Sequence, residues 1–558
     1  MILPRITKKE SKTAVIKVFG GLDRRDKISD SSLSEMTNMS AEAIPALSPR
    51  RARSHIADVS GATAIVAPEY TGGALTSFTG VRGNKFYYNG TAVGGTLTDG
   101  EKSIADFNGK ICIFPDKVYY DYVPSPDDGS VAASLVSMEK AIDVTGPVFY
   151  SSKNDTTGEY TAYISKSGAE FDSNFEVGDS IVISGCKTTQ NNTRSIESRR
   201  DYAADDEIVS AVADSVSANR IDLILYNKRG ERVCFKSATE SGSITLKKTV
   251  PDMNFICVHN NRLWGTAASG EYIYASKLGD CTNFNSFQGL SDDSWYSYVA
   301  TGGDFTGICS YRMAVVAFKR NCIHHVYGDA PVNFSIPKQT FGGCIDGRSI
   351  CEIQGVLYYL AQDGFYAYTG GEPYAVAPQL KLKYSSCAGG TDGRHYYAAA
   401  KCDNDSCDVL VYTPSLNVWV REDDTPFEDF CSYNGSVYGI ADGEMWRLDC
   451  GGEEQFSWSV VSKRFTYDMI EHKGLSCLRI RAELEPNVYA DVSVSLDGKE
   501  FTNFGRISNN ENQKKFSVWR IPIRFGKCNS FRIQLNGVGA AVIHDIEITS
   551  HNGGKIYG

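Results

Sequence analysis

The chain has 558 residues, 42% hydrophobic and 22% charged, which excludes a disordered polymer and implies two to four domains. Its net charge of −10 argues against a general nucleic-acid binder, and no apolar run is long enough to span a bilayer. The 52 Gly, 31 Tyr and 26 Phe favour tight turns and many short strands over long helices.

The basic residues are concentrated early. Residues 1–55 hold eleven Lys/Arg against six acids, a surplus of five positive charges that leaves −15 for the remainder. Residues 1–60 are therefore predicted to be an extended docking arm for an acidic neighbour, including another copy of the chain. Within it, Ser32-x-x-Glu35 reads as a capping box and predicts a short helix over 33–39. Gly20-Gly21 precedes that helix, and Pro45 and Pro49 follow it.

From about residue 70 a phrase recurs: a Gly or Asn turn, an aromatic or aliphatic strand, a second turn and another strand. Gly83–Tyr88, Asn108–Phe114, Asn261–Trp264, Tyr311–Val316, Gly355–Tyr359, Gly393–Tyr397 and Asn434–Tyr438 are instances. From Asn261 to Tyr311, Gly355, Gly393 and Gly435 the intervals are 50, 44, 38 and 42 residues, a spacing that fits the blades of a β-propeller. About six to seven blades are predicted, over 61–137 and 251–463. The repeat breaks at 138–250, where a strand after a Gly-Asp turn within Phe175–Gly185 and a hairpin strand at Arg220–Tyr226 predict an inserted small β-barrel or sandwich. Over 464–558, Leu478, Ile480, Ala482 and Leu484 alternate with Arg479, Arg481, Glu483 and Glu485, predicting a terminal β-sandwich with one wet face per sheet. The fold class expected is all-β.

Signals for chemistry are weak. The sequence contains no phosphate-binding loop, no H-E-x-x-H and no G-x-S-x-G. His324-His325 would point to opposite faces of a strand, one packed and one solvated, and is not expected to share a metal. Asp423-Asp424 and Glu453-Glu454 are the kind of acidic pair that glycoside hydrolysis needs, but adjacency does not set the separation of two carboxylates. The 16 cysteines form no C-x-x-C pair, and Cys402 and Cys407 stand closest; they read as small buried hydrophobes. No catalytic residue, metal ligand or cofactor is assigned, and the chain is expected not to be an enzyme. Met1 to Arg5 leads into no apolar secretory core, so folding in the cytoplasm is expected.

The arm carries a resemblance. Val18-Phe19-Gly20-Gly21-Leu22-Asp23, then Leu33-Ser34-Glu35-Met36-Thr37-Asn38-Met39, then Pro45-Ala46-Leu47-Ser48-Pro49-Arg50 resemble the opening of many phage structural proteins. The layout of arm, propeller with insert and terminal sandwich is similar to propeller-type nozzle, connector and DNA-stabilisation proteins of short-tailed phages. This resemblance implies a virion protein assembled in the bacterial cytoplasm, a homo-oligomeric ring, often six-fold, and contact with portal, adaptor or other tail proteins. It also implies transient passage of double-stranded DNA without sequence recognition. The arm residues Phe19, Gly20, Gly21, Leu22, Leu33, Met36, Asn38, Pro45, Leu47 and Arg50 would form the docking interface. The alternative is a carbohydrate-binding or glycan-cleaving propeller of a receptor-recognition tail part.

Overall fold

The computed structural model describes residues 11–69, 74–125, 129–194, 202–337, 339–381, 383–451, 456–467, 472–509, 515–523 and 527–554. The fold is all-β and of the β-propeller type, with an inserted β domain and a terminal β-sandwich. Among the described residues no helix is long and apolar enough to cross a membrane. The chain divides into two compact units, one of residues 61–347 and one of residues 1–60 with 348–558.

The unit of residues 61–347 holds four four-stranded antiparallel sheets, each built in sequence order. They begin at Ala62, Ser103, Met253 and Phe305. Each sheet is apolar on both faces, so each needs a neighbour on either side. Val81, Phe86, Ile111, Ile113 and Tyr120 fill the space between the first two sheets. Phe107, Cys112, Phe114, Met253 and Leu263 fill the next, and Trp264, Ile273, Val315 and Ala317 the one after. The insert runs from strand Lys140–Thr145 to strand Ser243–Lys248 and forms a three-stranded and a five-stranded sheet. It has its own core around Phe149, Ile164, Phe171, Ile183, Leu223 and Leu246.

Among the described residues the other unit holds, besides the terminal sandwich, three more four-stranded sheets, beginning at Cys351, Tyr384 and Asp429. In the last, strands Asp429–Tyr433 and Ser436–Ala441 are joined by Asn434 and Gly435 alone. Both have positive φ (47° and 70°), the primed turn that matches strand twist and favours Asn-Gly. Three strands of this sheet are consecutive; the fourth is Ser54–Asp58 from the N-terminal segment, paired with Glu444–Arg447.

The N-terminal segment also completes the terminal sandwich. Strand Ser11–Ile16 pairs antiparallel with Ala541–Gly554, and Leu33–Thr37 pairs with Ser457–Ser462. The two sandwich sheets thus have four and five strands, each including one N-terminal strand. The predicted helix over 33–39 is corrected: these residues are strands Leu33–Thr37 and Met39–Ser40. Leu33 and Met36 are both buried, a spacing that reads as helical. A register shift between Leu33 and Glu35 lets a strand bury both instead. One isolated turn of helix is costly to nucleate, and the ladder to Ser457–Ser462 outweighs it.

Between these strands the chain makes a tight passage at Gly20–Leu22. Leu22 N donates to Trp419 O (2.8 Å), and Leu33 N donates to Gly21 O (2.9 Å). Gly21 has φ +83°, and a Cβ there would lie 2.4 Å from Val418 Cγ1 and 2.6 Å from Trp419 O. Gly21→Ala is expected to destabilise this unit by about 2–3 kcal/mol through backbone strain and overpacking, read by urea denaturation. An unchanged midpoint would show that the passage does not hold the segment.

Candidate functional site

Of the ten residues of the predicted docking interface, the structure buries six within their own unit and leaves Gly20 and Pro45 exposed. Phe19, Leu22, Leu33, Met36 and Leu47 are buried. Phe19 N donates to Pro45 O (3.0 Å), Gly20 N to Ser31 O (2.8 Å), and Leu47 exchanges two backbone hydrogen bonds with Ile543 (2.8 and 2.9 Å). Asn38 Nδ2 donates to Ser457 O (2.8 Å), and its Oδ1 accepts from Arg50 Nε (2.7 Å). Residues 1–10 lie outside the described residues; residues 11–58 of the predicted arm pair within the chain as an internal clasp. Its apolar side chains have found partners within the chain, because a strand that can close a ladder and bury its apolar face does so.

Among the described residues, arginines of the clasp meet acids of the same unit. Arg24 Nη1 donates to Asp408 Oδ2 (2.7 Å), and Arg421 Nε donates to Asp408 Oδ1 (2.5 Å). Arg53 Nη2 donates to Glu422 Oε2 (2.6 Å), while its Nη1 lies 2.9 Å from Asp423 Oδ2 and donates to Thr425 Oγ1 (2.9 Å). Burial alone would raise the Asp423 carboxyl, but Arg53 holds it below the ordinary carboxylate range. Asp408 is likewise lowered by Arg24 and Arg421 against its burial. Asp423, one of the acidic residues considered for hydrolysis, therefore has a structural partner. Glu453 and Glu454 lie outside the described residues.

Beside this network opens a cleft of about 350 Å³, lined by the clasp and the terminal sandwich. Glu42 and Ser48–Ala52 form one wall. Glu483, Glu485, Lys515 and the backbone of 539–542 form another, and Phe456 lies between them. Each carboxylate has a cationic or imidazole neighbour. Glu42 pairs with Arg51 (2.9 Å), Glu485 accepts from Lys515 Nζ (2.5 Å), and His544 Nε2 lies 3.0 Å from Glu483 Oε1. Glu485 pushes the Lys515 ammonium up from its ordinary value. The Arg50 guanidinium sits 4.3 Å from the centre of the Phe456 ring. Carboxylate acceptors, ammonium and guanidinium donors and an apolar wall at Ala540–Val542 suit a ligand rich in hydroxyl groups. The sequence showed Glu483 and Glu485 as the wet face of a strand; nothing local marked them as cleft residues.

His324 and His325 are both buried, correcting the expectation that one is solvated. His324 Nε2 is 2.8 Å from Thr301 Oγ1, and His325 stacks on Tyr327 with ring centres 4.2 Å apart. Burial pushes both imidazoles down to about 4.

No family model matches the chain, and no curated protein matches it. Solved structures that it is similar to include an exo-β-1,3-galactanase from Phanerochaete chrysosporium with galactose (TM-score 0.22, 9% identity, 52% of this chain and 94% of that one). The same enzyme with β-1,3-galactotriose scores 0.21, with 53% of this chain and 94% of that one covered. A GH74 enzyme from Niastella koreensis scores 0.23 at 12% identity, covering 65% of this chain and 54% of that one. These neighbours are enzymes by name, and the expectation that this chain is not an enzyme is not carried forward. At this degree of likeness nothing about substrate or catalytic residues transfers.

Two outcomes follow from the electrostatics. Arg53→Ala leaves Glu422 and Asp423 largely buried without their main partner, and is expected to cost about 3 kcal/mol. Arg51→Ala, at a half-exposed pair, should cost less than about 1 kcal/mol, both read by chemical denaturation. The histidines make the pH dependence of residues 61–347 specific. Their folded values lie below the unfolded value of about 6.5, so unfolding takes up protons. Their contribution is complete above pH 6.5 and is lost as pH falls toward about 4. His325→Phe should flatten that loss in a urea series from pH 7 to 4.

Proposed function

We propose that the chain is a glycan-binding, propeller-type component of a phage tail part that recognises the host surface. The observation that carries this reading is the cleft of about 350 Å³, with Glu42, Glu483 and Glu485 as acceptors, Arg51 and Lys515 as donors and an apolar wall. Sugars present hydroxyl groups on an otherwise apolar ring, and this mixture of groups complements both. The resemblance of residues 18–50 to the opening of phage structural proteins supports the particle.

A second reading is a ring-forming nozzle or connector subunit that extends a DNA channel. The acidic excess outside residues 1–55 favours it, since an acidic wall repels phosphate and lets a duplex slide, whereas a basic wall grips it by counterion release. A native mass measurement separates the readings: the connector requires a closed high-order ring, often six-fold.

The glycan reading is tested on a glycan array with the full chain, with reducing-sugar release measured in parallel to separate binding from cleavage. Binding to a defined glycan class is expected, weakened about tenfold or more by Glu483→Gln with Glu485→Gln, the loss of one or two charged hydrogen bonds. A chain that retains no glycan, or whose binding is untouched by the double substitution, removes this reading.

A further inference from the structure

We propose that His55, Asp58 and Glu444 form a binding site for a divalent transition-metal ion where the N-terminal segment closes the last four-stranded sheet. One ligand atom from each of the three lies within 4.8 Å of the others, and His55 Nε2 is 3.2 Å from Asp58 Oδ1. His55 and Asp58 belong to strand Ser54–Asp58, and Glu444 opens strand Glu444–Arg447.

The convergence has a backbone cause. Residues three apart on a regular strand face opposite ways. Here Asp58 pairs with Glu444 and Ala57 with Met445, but Trp446 pairs with His55, so Ile56 is an extra residue in the ladder. The bulge turns His55 to the face that carries Asp58 and Glu444. The Trp446 ring meets the imidazole edge-on at 5.4 Å and limits its rotation.

The ladder points independently to a cation. Asp58 and Glu444 are directly opposed, and like charges in that position repel. A doubly charged ion neutralises both carboxylates and takes the imidazole as a third ligand, leaving water in the open positions. One nitrogen and two oxygens suit manganese, cobalt or zinc, not the softer ions that thiolates select. The ion would join the N-terminal strand to Glu444–Arg447, so binding would add to folding stability.

The test uses the full chain and Co²⁺ alone. Nitrogen and oxygen ligation gives a weak visible absorption, whereas ligation by any of the 16 cysteines adds an intense near-ultraviolet band. One equivalent of Co²⁺ with the weak band only, and a Tm that rises with added metal, are expected. His55→Ala should weaken binding at least about tenfold, the loss already seen when an outer-shell partner is removed. Glu444→Gln should also weaken it but, by relieving the opposed charges, should leave the metal-free Tm unchanged or higher, which separates loss of a ligand from loss of fold. Absence of binding, a sulfur band, or equal affinity in both variants would overturn the site.

Discussion

Backbone pairing between the first sixty residues and the last hundred and thirty organises the unit they share. Ser11–Ile16 and Leu33–Thr37 each add a strand to a sandwich sheet, and Ser54–Asp58 adds the outer strand to the last four-stranded sheet. Without these strands, Ser457–Ser462, Ala541–Gly554 and Glu444–Arg447 would expose unpaired edges. The buried ion pairs at Arg24 and Arg53 do not create this arrangement; a paired buried charge is weak evidence of net stabilisation. They make misplacement of the segment expensive, because a shifted segment would strand Asp408, Glu422 or Asp423 without a cation.

What could be read in the sequence follows from this constraint. Hairpins such as Asp429–Ala441 carry their partner a few residues away, and their Asn-Gly turns and aromatic strands are visible locally. The alternation at Leu478–Leu484 was equally plain, because one face is core and the other is wet. The N-terminal strands pair with residues several hundred positions on, and two of them contain register shifts. Ser32-x-x-Glu35 therefore read as the start of a helix over 33–39 where the chain forms a strand. A second bulge, at Ile56, brings His55 beside Glu444.

The cleft was illegible for a different reason. Glu42, Glu483, Glu485 and Lys515 are ordinary solvent-facing residues on their own segments. They acquire common purpose only because the clasp lies against the sandwich at Leu47 and Ile543. The apolar residues that suggested docking to a neighbour, Phe19, Leu22, Leu33, Met36 and Leu47, are buried within their own unit.

The clasp also governs how the molecule can be made. Ile16 pairs with Ile546, so the ladder partner of an early strand is synthesised 530 residues later. At ordinary translation speeds that delay is roughly 25–100 s, during which the N-terminal strands leave the ribosome with no partner. Residues 61–347 have their own sheets and can close in the interval. The first sixty residues cannot, and their surplus of basic side chains then keeps apolar stretches such as Leu33–Met36 in solution until the C-terminal strands that pair with them arrive.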